Sequence, residues 1–350
     1  MYCRQFNDPP ENIIEKHKAH FGTFSSVSPR IDIRGMRAPY AGIPFPTFIT
    51  KIRIKSRINY VFTLDNYIGL AQIIDFKALG LAEIILWNKE NGKKYVYQTI
   101  MPPRRRFIPI ITKRGICATY QKSRFIKISW GRNHKHGAMT FSVKGDSARP
   151  KAEGYFYSKV DDDFHTDCMF VNPSPTQSRC SVTWFTTMAI KGHITINGEQ
   201  ADDSNGLAIM TLNRAYIKVH SKIKVAYGIG VYKEKKIAFE LKNSNLDAAD
   251  SDRYNDNVLV VDGKQTALPP VYMTHPFGID KSWVIQDTES MVDLSFTPLS
   301  SNSRTLNIIA LRSTDNMIYG TYDGVLLTAD GEKITLKNFP GILYRNLIRI

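Results

Sequence analysis

Residues 51–58 read Lys-Ile-Arg-Ile-Lys-Ser-Arg-Ile, with a basic residue at every odd position and mostly isoleucine between them. Successive side chains of a β-strand point to opposite faces, so this spacing predicts a strand with one wet face and one apolar face. The same alternation recurs in residues 124–130 (RFIKISW) and 218–225 (KVHSKIKV). Period-two patterning dominates the chain and therefore favours an all-β fold.

Tight-turn signals separate these alternating runs. Asn91-Gly92, Asn197-Gly198 and Asp262-Gly263 each follow or join apolar runs, and Asp323-Gly324 and Asp330-Gly331 repeat the signal near the end. These dipeptides accept the positive φ angles of hairpin turns at little cost. Many strands with such punctuation predict antiparallel β-barrels or β-sandwiches.

The chain divides into an arm and two β parts. Residues 1–40 are rich in proline, serine and charge, and we expect an N-terminal arm that packs across the sheets. The polar run at 198–206, which reads as a loop, and a change of charge balance near residue 150 place a domain boundary near residue 190. We therefore expect a basic first β domain over 41–190 and a second over 191–350.

The net charge of +15 is concentrated in one part of the chain. Residues 101–150 contain 12 basic residues and one acidic residue. Such a field attracts anions, although a solvated basic surface explains the same composition. As candidate anchors for an acidic headgroup, the sequence offers four arginines: Arg104, Arg105, Arg106 and Arg132.

Several classes of protein are disfavoured by the sequence. No apolar run is long enough for a transmembrane helix, and the first residues do not read as a signal peptide. The four cysteines lie far apart without metal-binding spacing, which indicates free thiols in a reducing compartment. These features predict a cytoplasmic protein and leave its oligomeric state open.

The search for catalytic and metal-binding motifs gives few candidates. The P-loop, dinucleotide-binding and nucleophile-elbow motifs are missing, so we expect no cofactor. His134 and His136 sit two residues apart; on a strand the pair could ligate a metal, but the flanking glycines favour a ligand-contacting or solvated loop. The carboxylate-rich run at 161–167 could bind a divalent metal or transfer protons, but it reads best as an acidic turn. No metal site is predicted.

Aromatic residues are interleaved with the basic ones, and Trp184 and Tyr227 are candidate ligand contacts. Interleaved aromatic and basic side chains are typical of surfaces that bind single-stranded nucleic acid. However, no RNP1-like motif is present, and core packing explains most aromatics of a β protein. Nucleic acid is therefore a disfavoured partner.

Several stretches together carry a family resemblance. Residues 56–97 include AQIIDFKALGLAE and WNKENGKKY, and the later part reads VDLSFTP at 292–298, IYGTYDG at 318–324 and ADGEKI at 329–334. Their order and spacing resemble domain-of-unknown-function family 2804. That family looks related to the lipocalin-like hydroxyneurosporene synthase and AttH-like superfamily.

The resemblance implies two tandem lipocalin-like β domains that hold a large apolar molecule in a β cavity. By the same resemblance, Asn213 stands where typical members have an Asp, and two tryptophans of the family pattern are missing here. An acidic residue usual after the glycine is also missing near Gly341. Asn cannot act as a general acid or base at neutral pH. These departures weigh against an enzyme, and no catalytic residue carries over.

Three functions follow as hypotheses. The first is binding of an apolar or amphipathic, lipid- or isoprenoid-like small molecule in a β-barrel cavity. The alternative is a cofactor-independent hydratase, cyclase or isomerase for such a ligand, with Asp75, Asp293, Tyr227 and His220 as strand-located candidates. The second alternative is a basic surface that docks on an anionic membrane or on nucleic acid.

Overall fold

The fold is described by a computed structural model that covers residues 2–37, 39–40, 46–103, 107–132, 135–159, 162–308 and 311–349. Strands form nearly all of its regular structure. One short helix, α1, spans Thr47–Ile52. The strands, in chain order, are β1 Ile14–Glu15, β2 Lys18–Ala19, β3 Gly22–Phe24, β4 Ile54–Leu64, β5 Tyr67–Asp75, β6 Gly80–Asn88, β7 Lys94–Met101, β8 Gly115–Ala118, β9 Arg124–Arg132, β10 Lys135–Val143, β11 Ala152–Ser158, β12 Thr166–Pro173, β13 Cys180–Ile196, β14 Glu199–Tyr216, β15 His220–Tyr232, β16 Lys235–Ser244, β17 Val258–Val261, β18 Lys264–Ala267, β19 Tyr272–Thr274, β20 Trp283–Gln286, β21 Val292–Ile308, β22 Leu311–Leu327 and β23 Lys333–Arg349.

Two curled antiparallel sheets make up the fold, beside the small β1–β2 pair. The first sheet has 12 strands, with a main order of β7-β6-β5-β4-β14-β13-β11-β10-β9-β8, and β12 and β3 extend it from β13. The second sheet has nine strands in the order β18-β17-β16-β15-β23-β22-β21-β20-β19. This architecture confirms the prediction of an all-β chain with two tandem barrel-like sheets. No helix of the described residues has the length and apolar composition needed to cross a membrane.

Four of the five predicted turn dipeptides lie between strands, whereas Asp323-Gly324 lies inside β22, where the register of its pairing with β23 shifts between Tyr322 and Gly324. Asn91-Gly92 lies between β6 and β7, Asn197-Gly198 joins β13 to β14, and Asp262-Gly263 joins β17 to β18. Asn197 and Asp262 both have positive φ, as do the glycines that follow them. At Gly263 an added Cβ would lie 2.5 Å from the carbonyl oxygen of Asp163, so this turn also needs glycine for close approach.

The alternating stretch at 51–58 differs from its prediction in two ways. Its first residues close helix α1, and β4 begins only at Ile54. From Ile58 to Leu64, both faces of β4 are buried. Within the predicted stretch the alternation holds over 54–57, where Ile54 and Ser56 are buried, but Lys55 and Arg57 on the polar side are only half-exposed, because the second sheet covers this face of β4.

Apolar side chains form three main layers. One face of the first sheet curls around its own core, which includes Tyr60, Phe62 and Phe156. One face of the second sheet does the same around Phe239 and Tyr322. Between these cores, the opposite faces of the two sheets pack against each other. The central strands thus bury both faces, one against their own core and one against the other sheet.

The change from the first to the second sheet falls between Tyr216 and His220. The polar run at 198–206, expected to be a loop, lies largely within β14, which pairs with β13 and β4. The domain limits 41–190 and 191–350 stay a prediction. Near the start of the chain, β3 joins the edge of the first sheet by pairing with β12.

A buried ion-pair network links the two sheets at one end. Arg304 donates from Nη1 to Glu83 Oε2 at 2.6 Å and from Nη2 to Asp315 Oδ2 at 2.7 Å. Both carboxylates are fully buried. Asp315 also accepts from Tyr344 and from Asn346 Nδ2. Glu83 belongs to the first sheet and the other residues to the second, so Arg304 ties the sheets together.

Replacing Arg304 by Met should lower the free energy of unfolding by roughly 3–5 kcal/mol, because the change leaves two buried carboxylates without their cation. Urea unfolding measures this difference. Arg312→Met, at an exposed position on β22, is the matched control and should change stability by less than about 0.5 kcal/mol. Equal stability of both variants would contradict the proposed link between the sheets.

Candidate functional site

A cleft opens between the two sheets at the level of their central strands. Its walls come from β4, β12, β13 and β14 of the first sheet, from β15 and β16 of the second, and from the segment 245–257 that follows β16. Polar residues lie in its middle. Apolar side chains surround them, including Ile74, Phe76, Ile217, Ile223 and Val225.

Strand alternation places the polar groups in this cleft. On β4, Ile58 and Tyr60 belong to the core of the first sheet, so Asn59 between them faces the second sheet. On β16, Phe239 and Leu241 belong to the core of the second sheet, so Glu240 faces the first. The two sheets thus present polar side chains to each other across an apolar interface.

Glu240 is the most perturbed acid in the cleft. Its side chain is 3% exposed and accepts a hydrogen bond from Thr211 Oγ1 at 2.6 Å. Burial, with a smaller contribution from the charge of Asp256, raises the pKa of Glu240 to about 7. Among the described residues, no cation forms an ion pair with it. A carboxyl group with such a pKa exchanges protons readily near neutral pH.

Asp256 lies beside Glu240 and is held by three side chains. It accepts from Asn172 Nδ2 at 2.5 Å and from Thr183 Oγ1 at 2.9 Å, both on the first sheet. Lys242 of the second sheet also donates to it. Burial lowers the pKa of Lys242, but the carboxylates around it, Asp256 first, raise the pKa above its ordinary value. This ion pair fixes one wall of the cleft.

Tyr227 is the neighbour of Glu240 on the adjacent strand β15. Its hydroxyl accepts a hydrogen bond from Asn59 Nδ2 at 2.9 Å, across the two sheets. Burial and the charge of Glu240 raise the pKa of Tyr227 well above its usual range, so the phenol stays protonated. The amide oxygens of Asn59 and Asn172 are buried and have no hydrogen-bond partner among the described residues. Such acceptors need a partner of some kind, since an unsatisfied buried polar atom is costly.

The enclosed space of the cleft is modest, with a volume of about 80 Å³. That volume holds on the order of six water molecules. In this conformation the cleft therefore accommodates a small molecule, or one end of a longer one.

The residues predicted from the sequence are spread over different parts of the fold. Tyr227 lines the cleft. Trp184 and His136 line a groove at the end of the first sheet, on its other face, and Arg132 is exposed at the end of β9. Four of the candidates lie outside the described residues: Arg104, Arg105, Arg106 and His134.

The groove at Trp184 contains a second polar cluster. Asp167 accepts from Trp184 Nε1 at 2.8 Å and lies 3.3 Å from Nε2 of His165, whose Nδ1 faces the carbonyl oxygen of Thr187 at 3.1 Å. The His136 ring stacks on His165 with 3.5 Å between the ring centroids. Burial lowers the pKa of His165, but Asp167 and the Thr187 carbonyl outweigh this effect and raise it.

No metal-binding group of three ligands occurs in the described part of the chain.

The other strand-located acid–base candidates lie outside the cleft. Asp293 and His220 are exposed, and Asp75 is paired with Lys77 at 2.5 Å in a separate cavity. Asn213, at the position where the resemblance implied an Asp, lines the cleft and donates to Thr183 Oγ1 at 2.8 Å. The sequence did not reveal Glu240. Its signal is a lone acid inside the apolar run Ile-Ala-Phe-Glu-Leu at 237–241.

Comparison with known proteins places the chain in a family. The family model described as Domain of unknown function (DUF2804) matches residues 40–346. The chain belongs to this family. The match confirms the family expected from the sequence, and the Glu240 cleft lies inside the DUF2804 region.

No curated protein matches this DUF2804 chain. Among solved structures, a crystal structure of kievitone hydratase from Nectria haematococca is similar. It has a TM-score of 0.44 and 10% sequence identity, and the match covers 84% of this chain and 88% of that chain.

The raised pKa of Glu240 predicts a pH-dependent stability of the DUF2804 fold. The folded state holds the proton more tightly than the unfolded chain, whose pKa is near the ordinary 4.5. The protonated Glu240 therefore makes its full contribution to the free energy of unfolding below pH 4.5. This contribution is lost as pH rises through about 7, a change of about 3 kcal/mol. Glu240→Gln should be more stable than the wild type by that amount at pH 8, and within about 1 kcal/mol of it at pH 5.

Urea unfolding at both pH values measures this effect. Glu289→Gln, an exposed site, is the control and should follow the wild type at each pH. A Glu240→Gln variant that is less stable than the wild type at pH 8 would show that the carboxylate is charged and satisfied.

Proposed function

We propose that the protein binds a small amphipathic molecule in the cleft between its two sheets. The observation that carries this proposal is the group of buried polar atoms that face a space inside an otherwise apolar interface. The unpartnered amide oxygens of Asn59 and Asn172 and the Glu240 carboxyl group are the polar contacts available to such a ligand. Binding sites for small molecules combine apolar walls with a few polar groups in this way.

The apolar walls supply affinity and the polar groups supply orientation. Burial of apolar ligand surface contributes about 25 cal/mol per Å². A hydroxyl or protonated amine on the ligand is the group that Asn59 Oδ1 and Asn172 Oδ1 would accept from. The lipid-like ligand class and the relation to the lipocalin-like superfamily, both implied by the family resemblance, remain part of this proposal.

p-Cresol is a suitable probe, because it has one hydroxyl group and an apolar ring of a size close to that of the cleft. We expect the wild type to bind it and Ala215→Leu to bind it at least about tenfold more weakly, since Ala215 lines the cleft and the larger side chain occupies the space. Isothermal titration calorimetry measures both affinities.

Ala267→Leu provides the matched control, because Ala267 is equally buried on β18 outside the cleft. Its affinity for p-cresol should equal that of the wild type. Unchanged binding by Ala215→Leu, or a wild type that binds none of a panel of small phenols, alcohols and ketones, would contradict the proposal.

A second candidate function is proton transfer to and from a bound ketone or enone. The specific observation is the pKa of Glu240 near 7 beside the protonated hydroxyl of Tyr227. Glu240 would act as the base that removes a proton from the carbon next to the carbonyl. Tyr227 is the neighbouring donor to the carbonyl oxygen. The same pair suits addition of water to an enone, in which hydroxide adds to one carbon of the double bond and a proton to the other.

Exchange of the α-protons of cyclohexanone in D₂O tests this activity by NMR. We expect the protein to accelerate exchange with a rise centred near pH 7, and Glu240→Gln to lose about 100-fold or more of the rate. Glu289→Gln should keep the wild-type rate. If Glu240→Gln exchanges as fast as the wild type, Glu240 is not the base.

A further inference from the structure

Arg214 is a buried cation on the inner face of the first sheet. It lies on β14 between Leu212 and Tyr216, which both belong to the core of that sheet, and only 6% of it is exposed. Among the described residues, its Nη2 donates to the carbonyl oxygens of Ile108 at 3.2 Å and Pro109 at 3.3 Å. Its Nε is buried and has no partner in the part of the chain that the structure describes.

None of the described carboxylates forms an ion pair with Arg214. The two whose charges act on it are already engaged: Asp32 binds Arg34 through both oxygens, at 2.8 and 2.5 Å, and Asp75 binds Lys77 at 2.5 Å. Burial lowers the pKa of Arg214 to about 10. Buried charges in proteins are normally paired, because the uncompensated desolvation of an ion is costly.

A cavity of about 300 Å³ lies next to this guanidinium group. Arg34, Lys51 and Lys77 also line it, so that with Arg214 four cations face it. The two paired carboxylates leave an excess of two positive charges. The remaining wall is mostly aliphatic and consists of Ile52, Ile54, Ile108 and Ile110.

We propose that this cavity binds an aliphatic carboxylate, with the carboxylate group at Arg214 and the chain against the isoleucines. An arginine pairs with a carboxylate through two parallel hydrogen bonds, which makes it a strong anchor for this group. The isoleucine wall removes the aliphatic chain from water. The site is separate from the inter-sheet cleft and does not depend on the function proposed there.

Two features favour an anion over a purely structural role for Arg214. Its two hydrogen bonds go to neutral backbone carbonyls, and the two carboxylates whose charges reach it, Asp32 and Asp75, are each bound to another cation. The isoleucines make the cavity amphipathic, which matches a carboxylate that bears a chain better than a free inorganic anion.

Dodecanoate is the probe and dodecanol its uncharged counterpart, and isothermal titration calorimetry gives the affinities. We expect the wild type to bind dodecanoate more tightly than dodecanol. Arg214→Met should weaken dodecanoate binding by roughly 10- to 100-fold and leave dodecanol binding unchanged, because it removes charge-assisted hydrogen bonds only. Lys191→Met removes an exposed positive charge far from the cavity and should bind dodecanoate as the wild type does.

A second pair of variants keeps Arg214 in place, in case Arg214→Met does not fold. Ile110→Trp fills the cavity and should abolish dodecanoate binding, whereas Ile111→Trp changes an exposed neighbour and should not. Neither variant should alter p-cresol binding in the cleft, so failure of one site is distinguishable from failure of the other.

Three results would overturn the assignment. They are a wild type that binds no dodecanoate, equal dodecanoate affinity for the wild type and folded Arg214→Met, and dodecanol affinity equal to that of dodecanoate. Inorganic phosphate that competes as strongly as dodecanoate would indicate a simple anion site and would likewise reject the aliphatic carboxylate.

Discussion

The back-to-back packing of two curled sheets is the constraint on which the rest of the structure depends. It buries both faces of strands such as β4 and β16, so every polar side chain on the shared faces must find a partner across the interface. Four hydrogen bonds do so near the cleft: Asn59 to Tyr227, Thr211 to Glu240, and Thr183 and Asn172 to Asp256. The positions of the candidate functional groups follow directly from this packing.

The same interface contains two chemically different polar regions. At Arg304, each carboxylate faces a guanidinium group, which gives a structural link between the sheets. In the cleft, Glu240 accepts from a neutral hydroxyl and forms no ion pair with the described cations, so burial is the main influence on its proton affinity. A buried acid of this kind beside a cavity suits ligand binding and proton transfer better than it suits stability. On the inner face of the first sheet, Arg214 is a buried cation that likewise lies beside a cavity.

The sequence predicted the fold class, the main hairpin turns and the family, because period-two patterning and Asn-Gly or Asp-Gly dipeptides act locally. It did not predict which strand faces were covered, since residues 51–58 have the same alternation whether water or a second sheet lies over their polar side. The site was missed for the same reason. Glu240 and Asp256 become functional candidates only when the second sheet faces Asn59 and Thr211 of the first. Tyr227, predicted as a ligand contact because an aromatic residue with a hydroxyl group is a candidate in any β cavity, lines the cleft.

A crystal structure of the protein purified from cells, without added ligand, tests the central claim most directly. If the cleft between the sheets is the binding site, electron density for a small non-protein molecule should lie there, with a polar atom within about 3.2 Å of Asn59 Oδ1 or of the Glu240 carboxyl group. A cleft that contains only ordered water, in crystals soaked with a panel of small phenols and ketones, would contradict the account.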